Sequence, residues 1–424
     1  MHVGRRLAAI RGERGLSQEE MARDFISRGH YSNIESGRYV ISEQFVEVLS
    51  DKLNIPKDYL VNVDQENDYL NELLDEMEYC LQVKDFAEAK WKIDAINDIF
   101  PFINSLKQEF RYFLLLVIYF ILNHKVEEAT KIVEKKIKIY ISFEEDIPRE
   151  YQFLYFYTLA LWYQATNLLS ISEEYYEKAL LFPSTDLDKA KIEYNRALSN
   201  YRLHKLETAI SYASSALGRY TDENMMEPVA NLYVMLGGMY WELNMFEVAE
   251  SVLMKGLDVA KRNGFIDVEV KIYHNLGLIY EKRNEFEKSK EYFEECIALK
   301  ERNNDSSLAL SYINLLESLI SNNRIEEAQE LLQKIKSLDK SEKEKYTALE
   351  SEAKLMYLLG EYHKYENLIT KVIKYYKENN YHKFLIPICK AYSEYLASKN
   401  KYKDAYLYLK ETLQAKEHLE KNKK

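Results

Sequence analysis

The sequence predicts an all-α protein made of a short helical head and a long array of helical hairpins. Three observations predict this fold class: glycine and proline are scarce, a pattern of about 40 residues repeats through the centre of the chain, and roughly the first 60 residues follow a different pattern of helix caps. With 47% hydrophobic residues, the 424-residue chain has enough apolar side chains for a sizeable core.

Composition favours helices over sheets. The chain contains 12 Gly and 6 Pro, together about 4% of its residues, against roughly 12% in an average protein. A sheet protein of this length needs turns rich in these two residues every 8–12 positions. Helices joined by short polar turns need far fewer, so the composition predicts an all-helical chain.

Charge separates the head from the rest of the chain. The formal net charge is −11, yet the first 62 residues contain nine basic and nine acidic side chains, so the acidic excess lies entirely beyond them. Seven of those basic residues are Arg within the first 38 positions. We therefore expect any nucleic-acid binding to reside in the head rather than in the acidic body.

Cysteine usage and hydropathy predict a cytoplasmic protein with reduced thiols. Cys80, Cys296 and Cys389 are too dispersed for a disulfide framework, and no Cys or His residues have zinc-site spacing. The N-terminus has no apolar stretch of signal-peptide length, and the longest apolar run, Phe113–Leu122, is about half of what spans a bilayer. We expect no membrane association, metal or cofactor.

The body of the chain is a repeat. Each unit has one characteristic position in its first helix and one in its second, and we call these two positions the markers. Both recur independently at the same intervals of 40, 40 and 39 residues. The marker of the first helix is Ala197, Gly237, Gly277 and Leu316, and that of the second helix is Ala209, Ala249, Ser289 and Ala328. Weaker units in the same phase centre on Met77/Ala89, Val117/Ala129, Ala160/Ser172, Ala353/Tyr365 and Ser393/Ala405, which predicts about nine hairpins.

These hairpins resemble tetratricopeptide repeats with lengthened loops. Small residues at the crossing points let paired helices approach closely, and hairpins stack because one alone cannot bury both apolar faces. The resemblance implies a right-handed superhelix whose first helices line a concave groove.

Asparagines recur at the position that this resemblance places in the groove, two residues before the first marker. They are Asn195, Asn275 and Asn314, with Asn231 one turn earlier in the remaining central unit. Asn is a poor helix former, but its amide matches the C=O and N–H of an extended peptide, so we expect a peptide clamp. The alternative is that these side chains only form hydrogen bonds between neighbouring helices.

Further candidates for peptide binding on the same face are Lys191, Tyr194, Tyr201, Arg202, Trp241, Lys271, His274 and Lys282.

The head carries the signals of a helix-turn-helix. Ser17 with Glu20 predicts a capping box, Ser27 predicts the next cap, and Gly37 predicts a helix end. The run "LSQEEMA…SNIESGRY" resembles the module of phage-repressor-like (XRE-type) regulators, although its "DFIS" turn is one residue short and lacks the usual Gly.

That resemblance implies that the second helix of the motif lies in the DNA major groove. Arg28 suits a guanine edge, while Ser17 and Gln18 open the preceding helix. The expected DNA-binding residues are Ser17, Gln18, Arg28, Gly29, His30, Asn33 and Arg38, with Arg5 and Tyr39 as backbone candidates. A single neutral head binds DNA weakly, so we expect a homodimer or tetramer that reads an inverted repeat.

The combination of head and repeat resembles the peptide-sensing regulators of Gram-positive bacteria, the Rap/NprR/PlcR/PrgX (RRNPP) family, and in length and repeat number its NprR branch. The resemblance implies a quorum-sensing transcription regulator whose repeat domain binds a short imported peptide, with Arg202 or Lys271 near the peptide carboxylate. The predicted boundaries are 1–62 for the head, 63–68 for a connector that lets the head reorient, and 69–424 for the repeats.

Other functions stay open. A Rap-like protein binds a sporulation response regulator, a phage regulator of lysis and lysogeny has the same layout, and a general scaffold explains the repeats but not the head. An enzyme has the least support, because the chain lacks GxGxxG, P-loop, GxSxG and HExxH motifs.

Overall fold

The computed structural model describes residues 2–138, 141, 147–182 and 185–421, and within these residues every regular element is helical. The predicted all-α class is confirmed. The chain divides into two compact units, Met1–Asn224 and Met225–Lys424. Over the described residues, no helix is long and apolar enough to cross a membrane.

Five short helices form the head around a core that includes Leu7, Tyr31 and Leu49, none of which is exposed. Ser17 makes the full capping box with Glu20, as predicted. The helices are α1 (Val3–Glu13), α2 (Gln18–Ala22), α3 (Arg28–Glu35), α4 (Glu43–Leu53) and α5 (Asp58–Val61).

Four hairpins complete the first unit. A π-helical turn, Val133–Ile137, continues the second of them, and a 3-10 turn, Arg149–Tyr151, precedes the third. Their helices are α6 (Asp68–Gln82) and α7 (Phe86–Ile99), α8 (Leu106–Leu122) and α9 (Val126–Ile132), α10 (Gln152–Ala165) and α11 (Leu169–Ala179), and α12 (Asp186–Arg202) and α13 (Leu206–Asp222).

Five hairpins make up the second unit, which brings the total over the described residues to the predicted nine. Their helices are α14 (Met226–Glu242) and α15 (Phe246–Asn263), α16 (Ile266–Lys282) and α17 (Phe286–Arg302), α18 (Leu308–Ser321) and α19 (Ile325–Ser337), α20 (Glu342–Leu358) and α21 (Tyr362–Glu378), and α22 (His382–Ser398) and α23 (Tyr402–Lys421).

The two marker positions of the repeat are buried in all of these hairpins. At Gly277 an added Cβ atom would lie 2.7 Å from the ring of Phe293, and at Gly237 it would lie 2.5 Å from Leu253. Side chains of the partner helix therefore occupy the space that a Cβ atom would take at these two glycines. The small residues predicted from the register do let the paired helices meet.

The turn inside each hairpin ends its first helix in the same way. The second residue past that helix is left-handed, as at Asn244 (φ 58°), and the next N–H donates to the C=O five residues back, as from Met245 to Tyr240 (2.9 Å). This is the Schellman arrangement, which satisfies the last carbonyls of a helix. The left-handed residues are Lys84, His124, Asn167, His204, Asn244, Asn284, Asn323, Gly360 and Asn400.

We expect Gly277→Ala to lower the free energy of unfolding by about 1–3 kcal/mol, because the new methyl group overpacks against the buried ring of Phe293. Gly218→Ala is the matched control, since nothing lies within 4 Å of the Cβ that it adds inside α13. The control should gain up to about 1 kcal/mol from helix propensity. Urea unfolding of both variants measures the difference, and equal effects would contradict the close approach.

Replacing His124 by Gly should raise the free energy of unfolding by about 0.5–1 kcal/mol. His124 is exposed and held at φ 59°, where a residue with a Cβ atom is strained and Gly is not. Its neighbour Lys125 has φ −99°, so Lys125→Gly brings only the entropic cost of Gly and should destabilise. Thermal melts of the two variants should move in opposite directions.

Candidate DNA-reading and peptide-binding surfaces

The N-terminus of α3 presents the side chains predicted to read DNA. Ser27 caps the helix by accepting a hydrogen bond from the backbone N–H of His30 (3.2 Å), and Arg28 and Gly29 follow as exposed residues. The guanidinium of Arg28 has no hydrogen bond or ion pair with the described part of the chain. Tyr31 and Ile34 fix the opposite side of α3 in the head core. Arg28 is therefore available for an external partner.

His30 is in a different situation from Arg28. Its half-buried ring packs edge-on against Tyr39 (centroids 5.0 Å apart) and Phe45 (5.5 Å). The aromatic contacts hold the imidazole in place, so His30 shapes the surface beside α3. Asn33 is half-buried on the same helix, and Arg38 follows the helix as an exposed residue.

The two residues that open α2 are bound within the head. The hydroxyl of Ser17 accepts from the N–H of Glu20 (3.1 Å), and Gln18 Nε2 donates to Glu35 (2.8 Å). Glu35 also accepts two hydrogen bonds from Arg11, at 2.6 and 3.2 Å, and this interaction raises the pKa of Arg11. Ser17 and Gln18 thus orient α2 as well as being candidates for DNA contact.

The short turn between α2 and α3 is held by residues that sequence analysis did not single out. Asp24 adopts the left-handed conformation (φ 75°) in the place of the missing Gly. Lys52 Nζ donates to the carbonyl of Arg23 (2.6 Å) and lies 4.8 Å from the ring centroid of Phe25. This long-range clamp closes the turn without a glycine.

All four predicted asparagines lie half-buried on the first helix of a hairpin, but their amides differ. In the first unit, Asn195 Nδ2 donates to the carbonyl of Lys191 (2.9 Å) and to the hydroxyl of Tyr157 (3.3 Å). In the second unit, Asn231 Nδ2 donates to the carbonyl of Glu227 (3.1 Å). The amides of Asn275 and Asn314 make no hydrogen bond with other described residues. Only these last two keep their full capacity for a ligand.

The other peptide-binding candidates of the second unit have distinct environments. Trp241 is half-buried, and its Nε1 is a buried donor without an acceptor among the described residues. The ring of His274 lies 6.0 Å from that of Phe293, and burial lowers the pKa of His274, with the charge of Lys300 adding to the effect. Lys271 and Lys282 are exposed cations.

In the first unit the candidates follow Asn195 along α12. Lys191 pairs with Asp188 (3.4 Å), and the ring of Tyr194 meets that of Tyr220 edge-on (6.4 Å). Tyr201 is half-buried and Arg202 is exposed.

Glu281 on α16 is a half-buried carboxyl that sequence analysis missed. Burial raises the pKa of Glu281, the charge of Lys282 opposes this, and the charge of Glu317 reinforces it. No signal in the sequence distinguishes it from other acidic residues. Among the described residues, no three His, Cys, Asp or Glu side chains come together as a metal site.

Comparisons with known proteins find family models that match two parts of the chain. Residues 4–66 match the family model of a helix-turn-helix domain, and residues 230–263 and 270–303 match that of the tetratricopeptide repeat. Transcriptional activator NprA of Geobacillus stearothermophilus is 25% identical over 338 residues, which make up 74% of this chain and 79% of NprA.

Solved structures share the fold. The apo form of RapI superposes with a TM-score of 0.68 at 15% identity, over 84% of this chain and 99% of RapI. The apo quorum sensor NprR of B. thuringiensis gives 0.63 at 18% identity, over 82% and 99%. The chain is thus similar in fold to these proteins of the RRNPP family. A second structure of NprR, in complex with its cognate peptide NprX, gives a TM-score of 0.54 at 18% identity, over 82% of this chain and 98% of NprR.

One further relative matches a smaller part of this chain. Response regulator aspartate phosphatase A of Bacillus subtilis (strain 168) is 29% identical over 154 residues, which make up 36% of this chain and 41% of the phosphatase.

We expect Arg28→Ala to weaken binding to a selected operator by about 1–3 kcal/mol, because a bidentate contact to a guanine edge is lost. Binding to non-specific DNA should change much less. Arg38→Ala serves as the comparison: as a phosphate contact, it should weaken both kinds of binding alike and make the salt dependence shallower. Fluorescence anisotropy at several salt concentrations measures both. Unchanged operator specificity in Arg28→Ala would remove α3 as the reading helix.

Proposed function

We propose that this chain is a cytoplasmic quorum-sensing transcription regulator whose head binds operator DNA and whose repeat domain binds a short signalling peptide that controls DNA binding. One observation carries the proposal: within the described part of the chain, Arg28 on α3 and the amides of Asn275 and Asn314 on two first helices all lack a hydrogen-bond partner. Relatives described as a transcriptional activator and as a quorum sensor with a cognate peptide support it.

DNA recognition in this proposal rests on α3. Arg28 reads a guanine edge from the N-terminus of the helix, with Gly29 allowing close approach and Asn33 further along the groove. Ser17, Gln18 and Arg38 face the sugar-phosphate backbone, and His30 supports this surface through its ring contacts. The head is neutral overall, so few phosphates are neutralised and a single head binds weakly. A homodimer or tetramer on an inverted repeat supplies the missing affinity.

Peptide recognition in the second unit rests on Asn275 and Asn314. Each amide offers one acceptor and two donors, which suit the backbone of an extended peptide whatever its sequence. Trp241 supplies an apolar face and a buried N–H donor, and Lys271 supplies a cation for a carboxylate. Asn231 and His274 are the remaining contacts proposed here. In the first unit we assign the corresponding roles to Asn195, Tyr201 and Arg202.

Light scattering and DNA binding, with and without peptide, test this proposal as a whole. The probe is a synthetic copy of the short peptide encoded immediately downstream of the gene. We expect a change in oligomeric mass and in operator affinity on addition of the peptide, and no change with a scrambled sequence. A protein that selects no DNA sequence from a random pool would contradict the proposed function.

A second candidate function is the binding of a sporulation response regulator. The 154-residue match to a response regulator aspartate phosphatase favours it. Biolayer interferometry against a purified response-regulator receiver domain tests it, and this activity is compatible with DNA binding by the head.

Replacing Asn275 by Ala should weaken binding of the peptide several-fold or more, since peptide backbone groups lose their partner in a half-buried site. The control is Asn303→Ala: among the described residues, this exposed amide beyond α17 donates only to the carbonyl of Leu299. Isothermal titration calorimetry compares the two variants with the unmodified protein. Equal affinities for all three would give Asn275 a purely structural role.

A further inference from the structure

A buried arginine joins the head to the second hairpin of the repeat. Arg6 lies on α1 with no exposed side-chain surface, although most Arg side chains in proteins reach solvent. Its guanidinium contacts the carboxylate of Glu109 on α8 through Nε (3.1 Å) and Nη2 (3.0 Å). The two residues are 103 positions apart in the sequence.

The remaining donors of this guanidinium are also satisfied. Nη1 donates to the carbonyls of Tyr59 (2.5 Å) and Asn104 (2.7 Å), and Nη2 donates to the carbonyl of Ile103 (3.0 Å). All five N–H groups therefore have an acceptor. The acceptors belong both to the head and to the repeat, on the two sides of the joint between them. Full satisfaction of this kind makes a buried charge tolerable.

Tyr59 completes the cluster from the head. The guanidinium lies 4.0 Å from the centroid of its ring, and its hydroxyl donates a short hydrogen bond to Glu109. Phe102, from the segment before α8, packs edge-on against the same ring, with the centroids 5.2 Å apart. Burial and the charge of Glu109 raise the pKa of Tyr59, which keeps the phenol protonated as a donor.

The predicted connector is bonded to the same helix. The N–H of Leu106 donates to the carbonyl of Val63 (2.9 Å). The N–H of Asn67 donates to the side-chain oxygen of Gln108 (3.0 Å), whose Nε2 donates back to the carbonyl of Asn67 (2.7 Å). Both ends of the segment that was expected to let the head reorient are thus tied to the first turn of α8.

A buried ion pair is a poor way to gain stability, since apolar residues of similar size often do as well. A buried ion pair has a better supported role, which is to select one arrangement of the two segments that it joins. Any displacement of these segments leaves a charge buried without a partner. We propose that Arg6, Glu109 and Tyr59 form a positioning lock that fixes the DNA-reading head on α8. The distance between the two heads of an oligomer is then set by the repeat domain and not by the connector. This inference rests on the proposed DNA-binding function.

The test uses the full-length protein and the double variant Arg6→Ala/Glu109→Ala, which leaves neither charge buried alone. Operator DNA selected by the unmodified protein is rebuilt with different numbers of base pairs between its half-sites. We expect the unmodified protein to prefer one spacing by at least tenfold. The double variant should bind a single half-site with unchanged affinity but lose most of this preference. Retention of the full preference would overturn the lock.

The matched control is Lys136→Ala/Glu13→Ala, which removes an ion pair across the same joint (2.7 Å) whose side chains are 26% and 36% exposed. An exposed pair contributes little, so the control should keep the spacing preference. Loss of the preference in the control as well would show that any contact at this joint matters, which contradicts a specific role of Arg6.

Hydrogen exchange separates this inference from the proposed function. In the double variant, the amides of Asn67 and Leu106 should exchange at least tenfold faster, while α2 to α4 keep their protection. If the unmodified protein selects no DNA, the proposed function fails, and faster exchange at these two amides still supports the lock. Unchanged exchange at both amides would overturn the lock whatever the DNA result.

Discussion

The left-handed residue after the first helix of each hairpin is the constraint on which the repeat depends. Nine times in the described chain, one backbone conformation and one hydrogen bond across five residues end a helix and start its partner. Because the turn has a fixed length, each second helix returns at the same register and meets the first at the marker positions. Asn and Gly occupy six of these nine turns, as expected of the residues that tolerate positive φ.

The candidate peptide-binding surface follows from this regularity. Because every hairpin has the same register, residues at the same position of the repeat lie at the same place on their first helices. Asparagines that recur with the repeat therefore occupy corresponding positions. The amides nevertheless divide into two classes. Those of Asn195 and Asn231 are hydrogen-bonded within the protein, whereas those of Asn275 and Asn314 have no hydrogen bond to the residues that the structure describes. Hydrogen bonding within the protein is thus seen for Asn195 and Asn231, and the peptide clamp stays a prediction.

The head depends on interactions of longer range. The caps formed by Ser17 and Ser27 are local features, and they were predicted correctly from residue type and spacing. The closure of the α2–α3 turn by Lys52, which reaches back 29 residues to the carbonyl of Arg23, has no local signature. The same is true of Arg6, which in the sequence is one of seven N-terminal Arg residues and in the structure is the only fully buried one in the described head.

By itself, the sequence determined the helical class, the nine hairpins, the marker positions and the capping box of Ser17. Each of these follows from side-chain and backbone preferences within one or two helical turns, or from a period that repeats along the chain. Only the tertiary structure decided which asparagine amides stay unbonded, that His30 packs among aromatic rings, and that Arg6 pairs with Glu109. These outcomes depend on atoms from distant segments competing for the same donors and acceptors, and no local pattern encodes that competition.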